Sequence, residues 1–194
     1  MSTTKAHDEV ARRVEQWQLR EREVRAALAA PGRVPAAELA RSGGLEFLRR
    51  ILAGELPGIP IGATMGFVPV EMDRGRAVFQ GTPGAGYYNP LGTIHGGYIA
   101  TLLDSAVGCA VHTMLEAGHG YTTLELKVNY VRPVTDGTGP VRAEGRVINL
   151  SRQIGIAEGR LVDAGGRLYA HATTTCLVFP LPAQGQAPVA TQSP

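Results

Sequence analysis

Hydrophobic positions along this chain follow two different periods, and the change falls near residue 60. Val10, Val14, Trp17, Val24 and Leu28 stand near helical spacing with charges between them, which predicts an amphipathic helix over 8–29. Pro31, Gly32 and Pro35 end it. A second helical piece is expected over 36–53, carried by Leu39, Phe47, Leu48, Ile51 and Leu52 and interrupted at Ser42-Gly43-Gly44. Pro57-Gly58-Ile59-Pro60 reads as a linker. From Ile61 onward the pattern predicts strands over 61–71 and 75–82, joined at Asp73-Arg74-Gly75. One long apolar helix is expected over 96–117, then strands over 121–132, 139–150, 153–162 and 167–179. Leu124, Leu126, Val128 and Tyr130 alternate with Thr123, Glu125, Lys127 and Asn129, the pattern of a half-buried strand.

The helix is apolar on nearly every side from Ile99 to Met114, so it must be buried rather than laid on a surface. Turn signals at Asp136-Gly137 and Asp163-Ala164-Gly165-Gly166 separate strands whose connections are mostly too short for parallel crossovers. The expectation is an α+β fold in which a curved antiparallel sheet of about six strands wraps one central helix. Residues 1–57 read as a helical N-terminal extension and 58–181 as the main domain. The tail 182–194 lacks periodicity and is expected to be disordered.

Composition narrows the function classes. At 44% hydrophobic and 19% charged residues, the chain can bury a real core. Aromatic residues at 6% are too few for a base-stacking platform. The net charge of +2 is small and uneven, with ten Lys/Arg against seven Asp/Glu in residues 1–50 and nine against ten in 51–194, and predicts neither a nucleic-acid nor a membrane partner. Cys109 and Cys176 lie in apolar contexts that favour buried thiols, and no metal-ligand spacing or cofactor motif is present. No stretch approaches a membrane span, and the polar N-terminus lacks a signal-peptide core, so a cytoplasmic location is expected.

The chemistry concentrates between Asn89 and Asp104. A loop rich in Gly and Pro stops at His95-Gly96-Gly97, and the apolar helix begins at once. Amides without side-chain cover at a helix start favour developing negative charge. Asp104, the only acid between Asp73 and Glu116, lies farther along that helix. An oxyanion-friendly helix start and one carboxylate suggest acyl transfer or hydrolysis without a metal. Gly96 and Gly97 also suit tight packing, and Asn89 before Pro90 suits a turn. Other constellations fail: Ser105 lacks a nucleophile elbow, Gly84 and Gly86 lack a phosphate-loop partner, and His112, His119 and His171 are scattered.

Gly96 and Asp104 are eight residues apart, roughly 12 Å along a helix, so they cannot both touch one reacting carbon. Joint action requires Gly96 of one chain to face Asp104 of another. A twofold dimer with antiparallel helices would create two such sites and leave the monomer inactive.

Asn89-Pro-x-Gly-x-x-His95-Gly96-Gly97 with Asp104 nine residues after the histidine resembles the PaaI-type branch of the hotdog-fold acyl-CoA thioesterases. The similarity extends through Thr122–Pro133, Ala157–Arg160 and Ala170–Thr175, and covers roughly residues 60–180. The resemblance implies thioester hydrolysis with Asp104 as nucleophile or general base and the Gly96 amide polarising the carbonyl. It implies that Asn89 and His95 orient that carbonyl and that Thr123 positions water or the carboxylate. It also implies an acyl-CoA substrate and a homodimer, often paired into a tetramer. Gly97 is a further point of close approach to substrate. Arg132 and Arg152 are candidates for the nucleotide end of CoA because arginine suits phosphate. The alternative from another class is a hotdog protein that binds acyl-CoA without turnover. A hydratase reading finds little support, because His95 and Asp104 fall about 180° apart around one helix.

Overall fold

Helix α5 (Gly96–His112) forms the centre of the molecule in a computed structural model that describes residues 3–181. Ile99, Leu102, Leu103, Ala106, Val107, Ala110 and Val111 are buried, and they point to several sides of α5, as its apolar sequence requires. Around it curls one sheet of six strands: β1 (Phe67–Asp73), β2 (Arg76–Gly81), β3 (His119–Tyr130), β4 (Val141–Leu150), β5 (Ile154–Asp163) and β6 (Leu168–Pro180). Their spatial order is β1-β2-β4-β5-β6-β3, and every neighbouring pair is antiparallel. The expected fold class is therefore observed.

Missing side chains on the inner face let α5 approach the sheet closely. A Cβ at Gly145 would strike the Ala106 carbonyl, and one at Gly155 or Gly159 would meet Val111 or Val107 at 2.6 and 2.7 Å. Alanines 143, 157 and 172, on β4, β5 and β6, are fully buried or nearly so. Such close packing fixes the helix relative to the strands with little room for sliding.

Helix α1 (Thr3–Ala27) lies on the opposite, outer face of the sheet. Val24 is buried with Val68, Val70 and Val78. The Arg142 guanidinium sits 4.3 Å over the Trp17 ring, and the Gln80 amide donates to the Trp17 carbonyl and the Glu21 carboxylate, each at 2.9 Å. Arg142 also donates to Gln80 and Glu71, so this polar patch is satisfied where the helix covers it. Covered on both faces, β1 and β2 read as continuous apolar runs rather than alternating ones.

The segment expected as one helix over 36–53 forms two, α2 (Ala36–Leu39) and α3 (Gly44–Leu52), parted at the anticipated glycine interruption. The strand expected from residue 61 starts later, because Pro60–Met65 form helix α4. Pro60 takes the first turn, where its missing N–H costs nothing, and Gly66 at φ +69° ends the helix in the left-handed region. The central helix also stops sooner than 117. The Thr113 hydroxyl donates to the Ala110 carbonyl and accepts the Gly75 N–H, tying the helix end to the β1–β2 turn.

The sheet ends in an open edge at β3, which pairs only with β6. Leu124, Tyr130 and the following Val131 are exposed there, an apolar edge of the kind that pairs with another chain. No helix among the described residues is long and apolar enough to cross a membrane. The expected disorder of 182–194 falls outside the described residues.

Candidate active site

The loop before α5 is built around Asn89. Its Oδ1 accepts the N–H groups of Leu91 (2.9 Å) and Thr93 (3.3 Å), and its Nδ2 donates to the Thr93 hydroxyl at 2.9 Å. Gly92 turns the chain at φ +83°, and the Asn89 N–H donates to the Thr93 carbonyl at 2.7 Å. Asn89 is thus a turn former first. It also lines a cleft of about 320 Å³ with Thr93, Gly96, Ile99, Tyr130 and Arg132.

His95 caps the helix. Its Nδ1 accepts the Gly97 N–H at 2.9 Å, which places the ring proton on Nε2 whenever the imidazole is neutral. Its own N–H donates to the Tyr87 carbonyl (2.7 Å), and its carbonyl accepts the Tyr98 N–H (3.0 Å). The Gly97 amide is therefore already engaged, whereas the Gly96 N–H has no acceptor among the described residues. Tyr130 completes this end of the site, its hydroxyl donating to the Gly96 carbonyl at 3.0 Å.

Asp104 is half-buried on the β3-facing side of α5 and accepts the Thr123 hydroxyl at 3.1 Å. A β-bulge at Leu124 immediately follows Thr123, a device that re-aims side chains beside functional sites. Neighbouring thiols are poor nucleophiles. Burial pushes Cys109 up to about 12 and raises Cys176, with Asp104 adding to both shifts. Gly108 leaves room for the Tyr121 hydroxyl, which a Cβ there would meet at 2.8 Å. The Tyr121 ring in turn packs against His112, and His112 against Phe47, each pair tilted by 47° with ring centroids 5.4 Å apart.

The middle ring of these three makes stability sensitive to acid. Burial lowers the His112 imidazole from 6.5 to about 4. Across that window the folded chain keeps His112 neutral while the unfolded chain takes up a proton. Stability is full above it and is lost as pH falls through it, by up to about 3 kcal/mol. Urea unfolding of the wild type and His112→Phe between about pH 7 and pH 4 is expected to show the flatter pH dependence in the variant.

Within one chain the structure joins Asn89, His95, Gly96, Gly97 and Arg132 at the helix start, and Asp104 with Thr123 two turns on. It does not join the two groups. Arg132 is held by the Leu168 carbonyl at 2.6 Å, and Arg152 lies apart in another cleft with His119 and Phe179. A larger cleft of about 500 Å³ opens at the far end of α5 among Glu46, Arg49, Arg50, Glu55 and Arg74. Arg50 there is already bound to Glu38 and Glu55, and Arg49 faces Asp73. Sequence reasoning missed Tyr130 and Thr93. Tyr130 was visible only as one apolar position in an alternating strand, and Thr93 only as the residue four after Asn89.

A long helix gripped by a six-stranded antiparallel sheet, with a capped amide at its start and a carboxylate on its flank, defines a hotdog-fold protein. Residues 91–170 match the thioesterase superfamily. A protein named as an esterase from Saccharolobus solfataricus is 31% identical over 103 residues, spanning 53% of this chain and 71% of its own. The proofreading thioesterase EntH of Klebsiella pneumoniae is 30% identical over 105 residues, spanning 54% and 75%. A mutant form of the phenylacetic acid degradation protein PaaI from Thermus thermophilus superposes with a TM-score of 0.56 at 30% identity, covering 61% of this chain and 97% of that one. The chain belongs to the thioesterase superfamily and is PaaI-like.

Proposed function

We propose that this protein hydrolyses an acyl-CoA thioester to a free carboxylic acid and CoA, at sites shared between two copies of the chain. The observation that carries this reading is the unpartnered Gly96 N–H at the start of the same helix whose Asp104 is held by Thr123. The helix start polarises the thioester carbonyl and receives its developing negative charge. Asp104 either attacks the carbonyl carbon, expelling CoA thiolate and leaving an anhydride that water cleaves, or takes a proton from the attacking water. Thr123 orients the carboxylate, and the outward Nε2–H of His95 supplies a second donor toward the carbonyl. Asn89 acts on the carbonyl chiefly through the loop it organises, Gly97 gives close backbone approach, and Arg132 stands at the cleft for the phosphates of CoA.

The open β3 edge and the distance between Gly96 and Asp104 both support a homodimer as the working unit. In this proposal residues 1–57 form an extension to the catalytic domain, anchored where α1 covers the outer sheet face. Purified protein incubated with acyl-CoAs from acetyl through long-chain to phenylacetyl and benzoyl is expected to release free thiol with at least one of them. Tight binding across the panel with no thiol released would replace the hydrolase by a binder.

A further inference from the structure

We infer that Tyr130 is a positioning residue for the oxyanion donor, a role that rests on the thioesterase reading of the site. The helix starts with two glycines, the softest backbone pair available, at the place where a donor must be held still. The peptide joining Gly96 to Gly97 is clamped on both sides. Its oxygen accepts the Tyr130 hydroxyl at 3.0 Å, and its N–H donates to His95 Nδ1 at 2.9 Å. The preceding peptide, which carries the free Gly96 N–H, has its own carbonyl engaged by the Tyr98 N–H. With the planes on either side of it held, this peptide keeps its N–H aimed out of the helix start.

Tyr130 can do this because its backbone is anchored although its strand is an edge. It pairs with Ala170 in β6, and the next two N–H groups, of Val131 and Arg132, both donate to the Tyr169 carbonyl at 2.7 and 3.1 Å. The Val134 carbonyl then accepts the Ile94 N–H at 2.9 Å, which ties the segment after β3 to the loop before α5. The Tyr130 side chain lies 3.1–3.3 Å from where a Cβ on Gly96 would stand, so glycine allows its closest approach. In the single chain the Tyr130 side chain is 52% exposed, so burial within the chain does not demand its bond to Gly96, and what the bond supplies is orientation.

The test is Tyr130→Phe, which keeps the ring and removes only the donor. In the full-length protein kcat is expected to fall about 5-fold, the equivalent of one net hydrogen bond, with KM within about twofold and an unchanged melting temperature. A second readout needs no substrate. Labelling glycine with ¹³C at its carbonyl and with ¹⁵N leaves carbonyl–amide correlations only for the pairs Gly43-Gly44, Gly96-Gly97 and Gly165-Gly166. The Gly96–Gly97 signal reports both sides of the clamp, and its carbonyl is expected to shift upfield in Tyr130→Phe while the other two stay in place. Full retention of kcat, or a Gly96 carbonyl that does not move, overturns the assignment. A wild-type chain that cleaves no thioester defeats the functional reading instead, and the Gly96 signal still decides whether the clamp exists.

Discussion

Asp104→Asn is expected to reduce kcat for thioester hydrolysis by about 10²–10⁴-fold, the range that a positioned acid–base group contributes. The substitution preserves shape and keeps an oxygen to accept the Thr123 hydroxyl, now 3.1 Å from the carboxylate. Packing around α5 is therefore retained, and the loss falls on the chemistry. Neither thiol nearby can replace the carboxylate, because burial keeps Cys109 and Cys176 protonated at neutral pH. Thiol release measured beside circular dichroism and a melting curve checks both halves of the statement. A folded Asp104→Asn protein with wild-type turnover would remove Asp104 from the mechanism.

Gly96→Pro is the complementary experiment, expected to lower kcat by about 10²–10³-fold through loss of a single backbone donor. Proline is well tolerated as the first residue of a helix, and Gly96 holds that position. The preceding residue must then be extended, and His95 already is, at φ −60° and ψ 135°. A Cβ at residue 96 would stand 3.1–3.3 Å from the Tyr130 side chain, which must give way, so about 5-fold of the loss comes from the weakened Tyr130 clamp. Because the Gly96 of one chain is proposed to serve the Asp104 of its partner, the two inactive variants are expected to rescue one another. Random exchange of subunits gives half heterodimers with one intact site each, hence about a quarter of wild-type activity. No recovery after verified exchange would rule out a site that Gly96 of one chain and Asp104 of its partner complete together.

Local chemistry made much of the architecture legible. The apolar circumference of residues 99–111 announced a buried helix, and the glycine and aspartate turns announced antiparallel neighbours. Boundaries failed where one residue's environment overrode its pattern. Ile61 and Thr64 suggest a strand, but Pro60 and Gly66 bracket them into a helical turn. The strand order was not legible, because placing β3 beyond β6 depends on where the crossover through α5 lands. The outer cover of β1 and β2 was hidden too, since a sequence does not reveal that Trp17 and Val24 will meet Arg142 and Val70.

At the site, the sequence by itself determined the reactive inventory: one carboxylate on an apolar helix, and a glycine pair at that helix's start. Both follow from residue type and spacing along a single element, which local geometry dictates. Which amide is free turns on a local contact, the His95 ring turning back to take the Gly97 N–H, but only the tertiary structure brought Tyr130 from the sheet edge 34 residues away to hold the Gly96 carbonyl. It likewise decided that Thr123, through a bulged strand, meets Asp104 while Arg152 stays apart. Hydrogen bonds between distant segments exist only once packing has fixed the elements that carry them, so no reading along the chain could supply them.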